Sequence, residues 1–197
     1  MDPAPFAFLP AVDLDLYMVY DYRQLAPIDL DPLAGYERLH LIAWSMGVWV
    51  AAHLLGDQAT AFATRTALGG TLAPVDKQRG IPPESYAAMA EGFNQEILDG
   101  FYRNMFDDQD QLARFLDNRP QRDLAELRAE MVAFRHWFEQ YGPAQDLFTD
   151  TIVTSRDRIF SGRNQLRAWG KDRSTVRNWP HFPFALLADW RDLLPLC

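Results

Sequence analysis

The sequence predicts an α/β fold with a mostly parallel sheet, and three observations carry that expectation. Short, nearly continuous apolar runs such as RLHLIAW (38–44) have the texture of strands buried on both faces. The strongest of these runs leads through a single sharp turn directly into a helix. Strand texture then lapses for about sixty residues of helical pattern and returns, which places a helical insertion inside a strand–helix alternation.

Taken in order, residues 14–20 (LDLYMVY) read as a first short strand ending at Asp21, and Arg38–Trp44 as a stronger one. From Met46 to Leu55 the residues are good helix formers on average, and Gly56 supplies the stop. Residues 61–68 give a third strand, after which Gly69-Gly70-Thr71 opens a loop reaching Ile81-Pro82-Pro83. Between Pro83 and about Tyr141 the texture is helical. Tyr86, Met89, Phe93, Ile97 and Phe101 form one apolar stripe at spacings of three and four, and Leu124, Leu127, Met131 and Phe134 form another. Strand texture returns with DTIVTS (150–155), and a last apolar helix is expected from about Phe184 to Leu194. No repeat or Gly/Ser linker divides the chain, so residues 1–197 are expected to form one domain with a helical lid over about 80–141.

Composition narrows the function. The chain has 197 residues, 48% apolar and 13% aromatic, which excludes disorder and suffices for a buried core. No apolar run approaches the ~18 residues of a membrane span. The opening residues lack a basic, then apolar, targeting pattern, and Cys197 is the one cysteine, so no intrachain disulfide or cysteine metal cluster is expected and the cytoplasm is favoured. A formal charge of −8 speaks against general nucleic-acid binding. The charge is uneven: residues 142–197 carry eight basic against six acidic side chains. The basic stretch 163–177, with Trp169 interleaved, reads as a solvated face or a protein contact more readily than a nucleic-acid site.

Ser45 lies in A-W-S-M-G, between the second strand and its helix. A serine at the tip of that turn needs small neighbours two residues before and after, here Ala43 and Gly47, so that a nucleophile elbow can close. The Met46 backbone N–H, at the start of a helix, would then face a developing oxyanion. The plain alternative is a serine that only caps the helix. A nucleophilic serine needs a base. His40 lies within the strand, His53 is over 10 Å along the helix at 1.5 Å per residue, and His136 is in the helical stretch; His181, in N-W-P-H-F-P-F, remains. Asp157, just past a strand's carboxyl end, is the better candidate to orient it, with Asp76 as competitor and an ion pair to Arg156 or Arg158 as the plain reading. A Ser-His-Asp set indicates acyl transfer without saying which acyl group, so a generic esterase or thioesterase stays open.

Together, Y19-D21-Y22, L41-I42-A43-W44-S45-M46-G47-V48-W49, G70-T71-L72-A73-P74-V75-D76 with G80-I81-P82, S155-R156-D157-R158-I159-F160 with N164-Q165, and H181-F182-P183-F184 resemble the BioG type of pimeloyl-acyl-carrier-protein methyl esterase. The resemblance runs along nearly the whole chain. It implies an α/β-hydrolase core with a helical lid, acting on pimeloyl-carrier-protein methyl ester in biotin synthesis without a cofactor or metal of its own. It also implies Ser45, Asp157 and His181 as nucleophile, acid and base, Trp44 lining the acyl pocket, and lid arginines Arg103, Arg119, Arg122 and Arg128 meeting an acidic carrier protein. Relatives begin with a further apolar strand ending in a G-W-G turn that supplies a second oxyanion donor. The present sequence starts at residues that resemble those just after the turn, so the resemblance implies that this N-terminal strand is missing; a truncated, inactive hydrolase-like chain is the corresponding alternative.

Overall fold

The computed structural model describes residues 1–195; Cys197 lies outside them. Four strands, β1 (Leu39–Trp44), β2 (Phe62–Leu68), β3 (Asp150–Thr154) and β4 (Ser174–Arg177), form one sheet in the order β1-β2-β3-β4, every pair parallel. Parallel neighbours require a crossover between them. Helix α1 (Gly47–Leu54) connects β1 to β2 and α6 (Gly162–Trp169) connects β3 to β4. Four helices lie between β2 and β3: α2 (Pro83–Glu91), α3 (Gln95–Asn104), α4 (Gln109–Asp117) and α5 (Leu124–Tyr141). The α/β class and mostly parallel sheet expected from sequence are present.

Register brings the strand ends that matter to one edge of the sheet. Trp44 pairs with Leu68, Leu68 with Ile152, and Thr154 with Arg177, so β1, β2, β3 and β4 release their following loops side by side. Helix α1 is buried from Gly47 through Ala52, which is why its sequence is apolar all round. Trp49 is wholly buried there; its indole N–H donates to the Gly142 carbonyl at 2.8 Å and its ring meets Phe134 of α5 edge-on at 5.3 Å. Three of the four inserted helices start on side-chain caps: Asn94 for α3, Asp108 for α4, and a full capping box, Asp123 with Glu126, for α5, whereas α2 starts at Pro83. A second cluster joins the α3–α4 corner to the chain's end through Met105, Phe106, Phe115, Phe182 and Phe184.

Three sequence expectations are corrected. Residues 14–20 form no strand and pair with none among the described residues, and Leu16, Tyr17, Val19 and Tyr20 are exposed. The stripe from Tyr86 to Phe101 belongs to two helices, because Asn94 takes the Ile97 N–H and restarts the chain after Gly92. The last helix is two short 3-10 turns, Pro183–Leu186 and Trp190–Leu193, separated where Asp189 caps the second of them. Conversely, part of the basic stretch is α6, which Ser161 caps and Gly170 ends.

Candidate active site

Ser45 sits at φ 59°, in the left-handed region that a residue with a Cβ enters at a cost of about 1–3 kcal/mol. The surroundings impose it. The Ser45 N–H donates to the Leu68 carbonyl at 3.0 Å, tying the turn to β2, while the Ser45 carbonyl accepts from the Val48 N–H at 3.1 Å and begins α1. Gly70 allows that approach: a Cβ there would lie 2.2 Å from the Ser45 carbonyl oxygen. Gly47 is also close-packed, since a Cβ would meet the Tyr22 hydroxyl at 2.9 Å, although that is the end of a side chain and not backbone. The Met46 N–H makes no backbone hydrogen bond among the described residues.

Asp157 and His181 meet with their side chains fully buried, Nδ1 to Oδ2 at 2.7 Å. The carboxylate collects four further donors. The Ile159 and Phe160 N–H groups reach Oδ1, each at 2.8 Å; the Thr154 hydroxyl and the Gln165 amide reach Oδ2 at 2.9 and 3.2 Å. Gln165 is itself fixed, accepting from the Thr154 N–H at 3.1 Å and donating to the Phe160 carbonyl at 2.6 Å. The ion-pair alternative for Asp157 is not what forms: Arg156 and Arg158 both turn to Asp107, at 3.2 and 3.0 Å, and leave Asp157 facing inward. On the other side of the imidazole, Nε2 is buried and has no partner among the described residues.

His181 and Ser45 line one cavity of about 730 Å³, whose further wall is mainly apolar, with Met89, Leu98, Phe101 and Leu127 from the inserted helices. That volume is within the usual range for small-molecule sites. Trp44 lines it too, and its indole N–H donates to the His181 carbonyl at 2.8 Å. Among the described residues no group of His, Cys, Asp or Glu is arranged to hold a metal ion.

The other candidates are placed as follows. Asp76 caps its own turn: burial is the largest single influence and raises its carboxyl, but the Gln78 and Arg79 N–H groups and the Arg79 side chain together outweigh it and hold the carboxyl below the usual range. His40 faces Thr64 at 2.8 Å, His53 stacks on Trp49, and His136 lies beside Trp137. Arg103, Arg119 and Arg128 are exposed on the inserted helices and the turn joining two of them. Arg122 is different: its guanidinium is nearly buried between Glu130 and Asp21, so it holds the helical insertion to the core instead of facing outward. Gln165 and Thr154 are the functional neighbours that spacing did not single out; the apolar run up to Thr154 concealed a polar end.

Comparison with known proteins bears on the family and the fold. A family model described as pimeloyl-ACP methyl esterase BioG matches residues 5–193. A malonyl-[acyl-carrier protein] O-methyltransferase of Bacteroides fragilis is 35% identical over 179 residues, 91% of this chain; the chain spans only 36% of that protein's length. An uncharacterised protein of Haemophilus influenzae is 32% identical over 183 residues, covering 91% of this chain and 82% of its own. The crystal structure of selenomethionine BioG from Haemophilus influenzae superposes with a TM-score of 0.79 at 31% identity, over 90% of this chain and 81% of that one. By sequence along most of its length and by fold, the chain belongs to the BioG family of pimeloyl-ACP methyl esterases.

Proposed function

We propose that the chain is a serine carboxylesterase that removes the methyl group from pimeloyl-ACP methyl ester in cytoplasmic biotin synthesis. The observation that carries this reading is His181: its Nδ1 is held by Asp157 at 2.7 Å, its Nε2 is buried without a partner among the described residues, and the residue lines the cavity that Ser45 also lines. The Ser45 Oγ attacks the ester carbonyl carbon while His181 Nε2 takes the hydroxyl proton. The carbonyl π pair moves to oxygen, and the oxyanion is met by the Met46 N–H at the start of α1. As the carbonyl reforms, the methoxy oxygen leaves with the proton from His181 as methanol. Water then attacks the acyl-serine, giving up a proton to His181, which passes it to Ser45 Oγ, and the free pimeloyl carboxylate departs on its carrier. Asp157 keeps the imidazole in the tautomer that both transfers need.

In this reading residues 80–141 are a lid whose apolar faces hold the acyl chain, and the acidic carrier protein meets the exposed Arg103, Arg119 and Arg128. The phosphopantetheine arm arrives on the carrier, so the enzyme brings no cofactor. No helix of the described residues is long and apolar enough to cross a membrane. Ser45→Ala should abolish both methyl ester hydrolysis and labelling by a fluorophosphonate probe, with the thermal melt preserved. Labelling that persists in that variant would overturn Ser45 as nucleophile, and far faster turnover of short p-nitrophenyl esters than of the carrier-bound ester would favour a general esterase.

A further inference from the structure

The reading above leaves one question of geometry: what sets the separation between Ser45 Oγ and His181 Nε2. Asp157 fixes the rotation of the imidazole through Nδ1, but it does not fix where the His181 backbone stands relative to β1. One contact does join the two catalytic segments directly. Trp44 is the last residue of β1 and immediately precedes Ser45, and its indole N–H donates at 2.8 Å to the carbonyl of His181 itself, across 137 residues of sequence. Its ring also lies over the imidazole, centroids 5.1 Å apart and tilted by 39°. The indole is in turn wedged edge-on against Phe182 and Phe184, at 5.6 and 5.3 Å. On the far side of the same peptide, the Phe182 N–H donates to the Met105 carbonyl at 3.1 Å, so the loop is held from both faces.

We propose that Trp44 is a positioning residue for the base: its indole N–H, not only its apolar surface, sets where His181 stands against Ser45. This inference rests on the assignment of Ser45 and His181 given above. An apolar wall of the acyl pocket needs the ring and not the N–H. A positioning role needs the N–H, and a misplaced base slows the step without weakening binding.

The test replaces Trp44 by β-(3-benzothienyl)alanine, which keeps ring shape and volume and removes the donor. The expected result on pimeloyl-ACP methyl ester is a kcat lower by about five- to tenfold, the size expected for one lost neutral hydrogen bond, with KM within about twofold. Incorporation of 5-fluorotryptophan, which retains the N–H, should restore kcat. A benzothienyl variant with parental kcat, or one that changes only KM, overturns the proposal. A second measurement needs no variant: with ¹⁵N-labelled tryptophan, the Trp44 indole N–H should exchange with solvent far more slowly than a free indole, and exchange at the free rate also overturns it. If Ser45→Ala retains hydrolysis, the parent reading fails; if Ser45→Ala is inactive and the benzothienyl enzyme is not slowed, this inference alone fails.

Discussion

Replacing Asp157 by Asn tests the base–acid pair most sharply, because the structure dictates which way the new amide must face. Oδ1 accepts two backbone N–H groups, from Ile159 and Phe160, so an NH₂ there would oppose two immobile donors. The amide nitrogen is therefore driven to the Oδ2 position, against His181 Nδ1 and the Gln165 amide. Gln165 cannot turn to receive it, since its own oxygen is held by the Thr154 N–H and its nitrogen by the Phe160 carbonyl. His181 can respond only by presenting a bare Nδ1, which moves its proton to Nε2 and leaves no acceptor for the Ser45 hydroxyl. A wrong tautomer in a serine triad lowers kcat by about 10⁴. The Gln165 N–H facing a donor costs about 1–3 kcal/mol, roughly 2–12 °C in Tm at this chain length. Steady-state hydrolysis of pimeloyl-ACP methyl ester and a calorimetric melt read the two effects. An Asp157→Asn enzyme with more than a tenth of parental kcat would refute the argument.

Three further outcomes rest on local geometry. Gly70→Ala places a methyl 2.2 Å from the Ser45 carbonyl oxygen and 2.8 Å from Val48, so stability should fall by about 1–3 kcal/mol and hydrolysis should fall with it. Gly56→Ala, with nothing within 4 Å, should show neither change in the same melts and assays. Asp189 accepts from the Arg191 and Val12 N–H groups, which hold its carboxyl below the usual range. A folded pKa below the unfolded value of about 3.9 gives stabilisation that is full above that value and fades as pH falls through the folded one. The Tm difference between the parent and Asp189→Asn should therefore shrink as melts are taken from about pH 6 to pH 3, and a constant difference would count against the assignment.

The parts of the fold legible in the sequence were those where one local signal dominates. The apolar run Leu39–Trp44 followed by small residues around Ser45 announces strand, turn and helix, and the strained φ of Ser45 is the physical form of that pattern. Exclusion by element singles out His181, and the structure does leave His53 on Trp49 and His136 beside Trp137; His40, bonded to Thr64, lines the same cavity but has no carboxylate on its ring as His181 does. Apolar texture misled at residues 14–20, where a strand-like run cannot by itself supply a neighbour to pair with. It misled again at 184–194, because the apolar count does not reveal that Asp189 spends its carboxylate restarting the turn. Helix α6 is obscured by its charges and by the polarity of its inner face, where Gly162, Asn164 and Gln165 are buried with Trp169, yet it delivers Gln165 to Asp157. Arg122 looked like any lid arginine because the carboxylates that bury it, Asp21 and Glu130, lie about a hundred residues before it and two turns after it.

The placement of the four inserted helices has a consequence for how such a protein can change over time. The chain leaves the sheet after β2 and returns only at β3, while Ser45, Asp157 and His181 are all encoded outside that interval. On the function proposed above, substrate preference and reaction chemistry can thus be inherited separately: the helical cassette can be exchanged for another while Ser45, Asp157 and His181 stay in place. The exchange has conditions at the seams: the newcomer must offer a carbonyl where Met105 now holds the Phe182 N–H, and partners where Arg122 meets Asp21 and Asp107 meets Arg156 and Arg158.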